Sequence, residues 1–228
     1  MKRLDNKVAI VTGASKGIGA GIANAFGAEG AAVVVNYARD HKGAERVVRE
    51  IAGKGGRAIA VQGDVAQRSD AQRLVAEAKK AFGRLDVLVN NAGVFSFAPF
   101  EQFSEQEFHR QFNTNVLGMF LMIEAALPAF GAEGGSILNI GSTTTATAYP
   151  ALSIYVASKS AVNGLTRVLS KELEKYRAGI KATMKGHPIE VLAADGKHEV
   201  LEVRLRDGED EGGDGVIHRA YPLFHQCR

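Results

Sequence analysis

The chain has 228 residues, 46% of them hydrophobic and 23% charged, which is enough apolar material for one large domain with a buried core. That balance excludes collagen-like, wholly disordered and disulfide-scaffold chains. With 28 basic against 25 acidic residues, the net charge of +3 is too mild to point to nucleic acid. The single cysteine, Cys227, cannot form an internal bridge and fits a reducing compartment. The early apolar run Val8–Val11 is too short for a signal peptide or a membrane span, so a cytoplasmic protein with no membrane partner is expected.

From the N-terminus, short apolar runs alternate with longer amphipathic stretches. Strands are expected at 8–11, 32–35, 58–62, 87–90 and 137–140. They are rich in Val and Ile and alternate poorly, the pattern of parallel strands covered on both faces. Helices are expected at 18–28, 43–52, 70–82, 105–130 and 153–175. Strand–helix–strand repeats with right-handed crossovers give an α/β fold, a Rossmann-like doubly wound parallel sheet. The text changes beyond Tyr176: four of the six histidines and the sole cysteine fall in this last stretch. Residues 189–192 and 198–205 predict a β-hairpin with an Asp195-Gly196 turn. The acidic stretch 207–215 reads as a solvated loop, since its spacing misses the ligands of a calcium-binding loop, and the histidines lack metal-ligand spacing. The expected organisation is a dinucleotide-binding and catalytic domain at 1–175 and a divergent tail at 176–228.

Directly after the first strand comes Thr12-Gly-Ala-Ser-Lys-Gly-Ile-Gly19. A glycine-rich turn from strand into helix lets backbone N–H groups approach a pyrophosphate, which the helix N-terminus favours electrostatically. The loop's candidate cofactor residues are Gly13, Ser15, Lys16, Gly17, Ile18 and Gly19. A glycine pattern alone is weak, because a tight structural turn explains it nearly as well; its place in the first strand–helix unit adds weight. The second strand ends with Asn36 where many NAD sites carry a carboxylate for the ribose 2′-hydroxyl, and Arg39 follows. Lys16 and Arg39 suit a 2′-phosphate, and NADP(H) is expected over NAD(H).

Tyr155 and Lys159 stand four apart on a predicted helix, so both side chains point the same way, and a lysine ammonium near a tyrosine hydroxyl favours the phenolate. Ser142 lies at the end of the 136–140 strand, on the carboxyl edge where open α/β sheets bind ligands. Asn115 is read as opening the long helix that follows Asn90-Asn-Ala-Gly93. Taken with Asp64-Val65 and Tyr155-Val-Ala-Ser-Lys159, these motifs make residues 7 to about 175 resemble the short-chain dehydrogenase/reductase family, in particular its 3-oxoacyl-carrier-protein reductase and glucose dehydrogenase branch.

The resemblance implies roles. Tyr155 would be the general acid or base, Ser142 would polarise the carbonyl oxygen, and Lys159 would hold the nicotinamide ribose. Asn115 would support a water relay behind Lys159. Asp64 and Val65 would flank the adenine, and Asn90, Ala92 and Gly93 would shape the cofactor pocket. The substrate would be a small carbonyl compound or alcohol. A homodimer would form through helices 115–130 and 153–175, and a tetramer is not expected.

The last quarter departs from the family pattern. Residues 179–183 are a trace of the sixth strand, but no Pro-Gly follows, and His187-Pro188 is a poor substitute. Without the family's sixth and seventh strands an open sheet edge is expected near the active site, and loss of the lid is expected to weaken substrate binding. The alternative to an enzyme is a non-catalytic dinucleotide-binding protein whose tail replaces the substrate lid; a third reading is a poorly folded relic. Phe95, Phe97, Phe100 and Phe103 follow the pocket strand and are candidates for an apolar substrate mouth, for core or for a subunit contact.

Overall fold

The computed structural model describes residues 2–147 and 149–173 in full, and the backbone of three further strands. In chain order the elements are β1 (Val8–Val11), α1 (Gly17–Ala28), β2 (Ala32–Tyr37), α2 (His41–Gly53), β3 (Arg57–Gln62), α3 (Arg68–Phe82) and β4 (Val87–Asn90). There follow α4 (Glu105–Phe112), a π-helical turn (Asn113–Leu117), α5 (Gly118–Ala126), β5 (Gly135–Ile140), α6 (Thr144–Thr147), α7 (Ser153–Glu172) and β6 (Ala178–Thr183). The strands form one parallel sheet in the order β3-β2-β1-β4-β5-β6, reversing direction of travel between β1 and β4. In open α/β sheets the crevice for ligands lies at such a reversal, beyond the carboxyl ends of the strands.

Apolar side chains fill both faces. Ala9, Val11, Val33 and Val35 pack under α1 and α2 with Ile22, Phe26, Val47 and Ile51, while Ile10, Val34, Leu88 and Ile137 face Leu74, Met119, Met122 and Val162. This two-sided burial explains why β1 reads as an unbroken apolar run, and why β2 and β4 do so as far as Asn36 and Asn90. Each fully buried Ile or Leu contributes about 1.5–3 kcal/mol relative to exposure. The helix over Glu105–Ala129 is long and apolar enough to cross a membrane. Its Met119, Leu121, Met122, Ile123 and Ala126 are core residues against the sheet.

Two expectations change here. The edge of β5 is not open: β6 pairs with it in parallel register from Gly135↔Ala178 to Ile140↔Thr183, because the alternating backbone of 178–183 needs no Pro-Gly turn to complete a ladder. And Asn115 does not open a helix; it sits within one, inside the π turn between α4 and α5. The hairpin is present as β7 (Ile189–Leu192) paired antiparallel with β8 (His198–Leu201). Its Asp195-Gly196 turn, His187-Pro188, the acidic stretch 207–215 and Cys227 lie outside the described residues.

Candidate active site

The glycine turn joins β1 to α1. Gly13 and Gly17 adopt left-handed φ of 62° and 57°, a region that favours glycine. A Cβ on Gly13 would stand 2.9 Å from the Ala92 Cα, so the turn lies directly on the loop after β4. A Cβ on Gly19 would meet Asn91 Nδ2 and the Gly13 carbonyl, so α1 starts hard against that loop as well. Around Gly17, by contrast, a would-be Cβ meets nothing within 4 Å beyond its own helix turn and chain neighbours. The first turn of α1 has no side-chain cap, whereas α2 is capped by Asp40, which accepts from Gly43 N–H at 2.9 Å, and α4 by Ser104. An uncapped helix start beside open glycine backbone suits an anionic group.

Asn36 was placed by sequence where a ribose hydroxyl would be met, but its side chain is 1% exposed and fully engaged inside. Its Oδ1 accepts from Gly13 N–H at 3.0 Å, and its Nδ2 donates to the carbonyls of Gly63 at 3.0 Å and Val61 at 3.3 Å. Asn36 is thus a brace that ties the glycine turn to β3. Strand position does not reveal which way a side chain turns, and an unmet backbone N–H at Gly13 is the stronger claim on this amide. Lys16 and Arg39 are exposed beside the turn, and Arg46 of α2 donates to the Ser15 carbonyl at 3.4 Å. Ser15 is buried in the turn and Ile18 partly so.

Thr12 and Asn91 join β1 to β4. Thr12 Oγ1 donates to the Val89 carbonyl and accepts from the N–H groups of Asn91 and Ala92, and Asn91 Nδ2 donates to the carbonyls of Thr12 and Gly13. Asn90 Nδ2 donates to Asn139 Oδ1 at 2.9 Å, and Asn139 Nδ2 donates to Thr166 Oγ1 at 3.0 Å, a buried chain from β4 through β5 to α7. Asp64 is exposed after β3 and accepts from Ala66 N–H at 3.0 Å. Val65 is buried, pressed on Gly118, and helps line a small cleft with Thr12, Asn90, Ala92, Asn115 and Lys159.

Two of the catalytic candidates, Asn115 and Lys159, line that cleft. The π turn aims Asn115 inward: its Oδ1 accepts from Val94 N–H at 2.8 Å, and its Nδ2 donates to the Val94 carbonyl and to Ser158 Oγ, both at 2.9 Å. Ser158 in turn donates to the Tyr155 carbonyl at 2.8 Å. Lys159 is buried and donates to the Ile140 carbonyl at 2.7 Å, and its ammonium lies 6.0 Å from the centre of the Tyr155 ring. Burial brings its pKa down to about 8, so the group still carries its proton at neutral pH. A Cβ on Gly93 would stand 3.5 Å from Lys159 Nζ, which makes that glycine the floor of the same space. Ser142 lies in the loop after β5, within hydrogen-bond distance of Thr144 Oγ1 at 2.8 Å. Tyr155, partly exposed, has the Phe95 ring at 5.7 Å centre to centre.

Sequence reading missed four contributors: Thr12, Asn139, Ser158 and Thr166. One signal was available, since Asn139 interrupts an apolar strand and pairs in register with Asn90. Ser158 and Thr166 carry no comparable mark.

The comparisons agree on one family. Residues 7–187 match the family model described as short chain dehydrogenase. The chain is 48% identical over 189 residues to an uncharacterized oxidoreductase of Methylorubrum extorquens, covering 83% of this chain and 76% of that protein. It is 38% identical over 184 residues to versicolorin reductase 1 of Aspergillus parasiticus, with coverage of 81% and 70%. Among solved structures, a short chain dehydrogenase from Burkholderia cenocepacia in complex with NADP matches at 37% identity and a TM-score of 0.75, over 79% of this chain and 74% of that one.

Proposed function

The chain belongs to the short-chain dehydrogenase family, and from that premise we propose an NADP(H)-dependent oxidoreductase that moves a hydride between a nicotinamide and a carbonyl or secondary alcohol. The observation that carries the reading is the placement of Tyr155 one helical turn before a buried Lys159, whose ammonium lies 6.0 Å from the centre of the Tyr155 ring.

The residues fit a dinucleotide. The open backbone at Gly17 and the first N–H groups of α1 would hold the pyrophosphate, with Gly13 and Gly19 keeping the turn close to the sheet. Lys16 and Arg39 would pair with a 2′-phosphate, Asp64 and Val65 would flank the adenine, and Asn90, Ala92 and Gly93 would bound the pocket. When bound, the nicotinamide supplies or accepts the hydride. In reduction Tyr155 passes its hydroxyl proton to the carbonyl oxygen while Ser142 donates a hydrogen bond to that oxygen; in oxidation Tyr155 takes the proton back. Lys159 favours the phenolate by its charge and is oriented by the Ile140 carbonyl. Asn115 supports a water-borne proton path behind it. Residues 1–175 carry all of these groups, and a reducing cytoplasm is the compartment we assign from the single cysteine. The exposed Leu117, Phe120 and Val168 on α5, its preceding turn and α7 support a homodimer through those helices.

A thermal melt with each cofactor tests the reading. A ligand binding only the folded chain, at about a hundred times its dissociation constant, adds about 2.7 kcal/mol. NADPH is expected to raise the midpoint more than NADH, and Tyr155→Phe to keep that shift while losing about 10²–10⁴-fold in ketone-dependent NADPH oxidation. A chain that melts cooperatively with no shift from either cofactor overturns the proposal.

A further inference from the structure

The segment between β4 and α4 shows four phenylalanines to solvent: Phe95 at 56%, Phe97 at 69%, Phe100 at 74% and Phe103 at 50% exposure. Exposed apolar residues scattered singly need no explanation, but this group begins two residues after Gly93, which abuts Asn115 and Lys159. Phe95 lies tilted at 5.7 Å from the Tyr155 ring, and Phe97 meets Phe95 edge-on at 5.6 Å and 88°.

The segment is also held still. Val94 is gripped through both backbone groups by Asn115. The Phe95 carbonyl accepts from Arg110 at 3.2 Å. Ser96 donates to Glu107 at 2.7 Å and accepts from Gln111 at 3.0 Å. Ala98 N–H donates to the Ala151 carbonyl at 2.9 Å, ahead of α7. Glu107 anchors the cluster: it accepts two hydrogen bonds from Arg110 and one from Gln111, each at 2.7 Å. Hydrogen bonds from Arg110 first, then from Ser96 and Gln111, hold its carboxyl at a pKa of about 2, so the clamp keeps its charge at any working pH.

Resting on the hydride-transfer reading above, we propose that Phe95 is a specificity-determining wall of the substrate site, that Glu107 is its positioning residue, and that the preferred substrate bears a flat aromatic group next to its carbonyl. A ring held beside Tyr155 offers an incoming aromatic face an offset-stacked or tilted partner while the carbonyl oxygen reaches the Tyr155 and Ser142 hydroxyls. An aliphatic chain gains buried area there without the ring–ring term, and a sugar gains little from an apolar wall.

The chain has no tryptophan, so Phe95→Trp installs a single fluorescent reporter at the wall. Combined with Tyr155→Phe to stop turnover and saturated with NADPH, this variant is titrated with 1-tetralone and with cyclohexanone, which presents the same ring ketone without the fused aromatic ring. Saturable quenching is expected at a concentration of tetralone about tenfold lower than of cyclohexanone. With Tyr155 intact, Phe95→Ala is expected to lower the tetralone-to-cyclohexanone ratio of kcat/KM by about tenfold. Phe95→Tyr should preserve the ratio, and Glu107→Gln should raise KM for tetralone more than for cyclohexanone. A merely structural glutamate would move both substrates equally. A ratio untouched by Phe95→Ala, or quenching that does not saturate with tetralone, overturns the proposal while leaving hydride transfer standing. Saturable quenching without turnover of any ketone by the native chain does the reverse: the aromatic site stands and the hydride-transfer reading falls.

Discussion

Two regions meet at the carboxyl edge of the sheet, and they are shaped by opposite means. The glycine turn after β1 is shaped by missing side chains. At Gly13 and Gly19 there is no room for a Cβ, and at Gly17 the bare backbone faces outward. The region after β4 and β5 that holds the catalytic candidates is shaped by side chains that are present. Asn115 spans Val94 and Ser158, Asn139 spans Asn90 and Thr166, and Lys159 reaches the Ile140 carbonyl. The contrast teaches that the first region is vulnerable to added atoms and the second to removed ones.

The most severe test adds atoms where the turn meets backbone. Gly13→Ala puts a methyl 2.9 Å from the Ala92 Cα and forces alanine to a φ of 62°. Left-handed strain of about 1–2 kcal/mol and overpacking of about 1–3 kcal/mol combine here. A urea titration is expected to show a loss on the order of 2–5 kcal/mol, and a variant as stable as the native chain would break the contrast. The second test removes atoms. Asn139→Ala strips the acceptor from Asn90 Nδ2 and the donor from Thr166 Oγ1, at an expected cost of about 1–3 kcal/mol. For a domain of this size that is a fall in melting midpoint of about 2–4 °C per kcal/mol. A fall under 1 °C would show that the buried chain is dispensable. The smallest effect is a pH dependence. Burial lowers the Lys159 pKa from 10.5 to about 8 in the folded chain. Between those values the unfolded chain holds a proton that the folded chain has shed, so stability rises as pH rises through that window and is level in this term below it. Urea midpoints at about pH 7.5 and about pH 9.5 should show this rise in the native chain relative to Lys159→Met. Parallel curves for the two would remove burial as the reason.

The sheet was legible because its strands are buried on both faces. Val8–Val11 and Val87–Asn90 came out with the observed bounds, since an apolar run bounded by polar residues marks a covered strand. The glycine turn was legible because the residue type itself states the backbone requirement. What stayed hidden was side-chain direction. Asn36 stood at the expected strand end, yet its amide turned inward to Gly13, Val61 and Gly63. Ser158 stood inside the Tyr155–Lys159 motif with no role assigned, because no sequence pattern distinguishes a hydroxyl that joins two elements from one that faces water. The 105–130 stretch was read as a single helix because hydrophobic periodicity averages over a one-residue change in hydrogen-bond pattern.

That change has a consequence of phase. An α-helix advances about 100° per residue, so residue 119 would stand about 120° around the axis from residue 107. The wider turn at Asn113–Leu117 absorbs roughly one residue, bringing the two positions back to within about 20° of each other. Glu107 and Gln111 can therefore hold the aromatic segment while Met119 and Met122 fill the sheet's core from the same side of one rod. Deleting a single residue there would leave the two halves in phase as one regular α-helix, and would remove only the wide turn and with it the inward aim of Asn115.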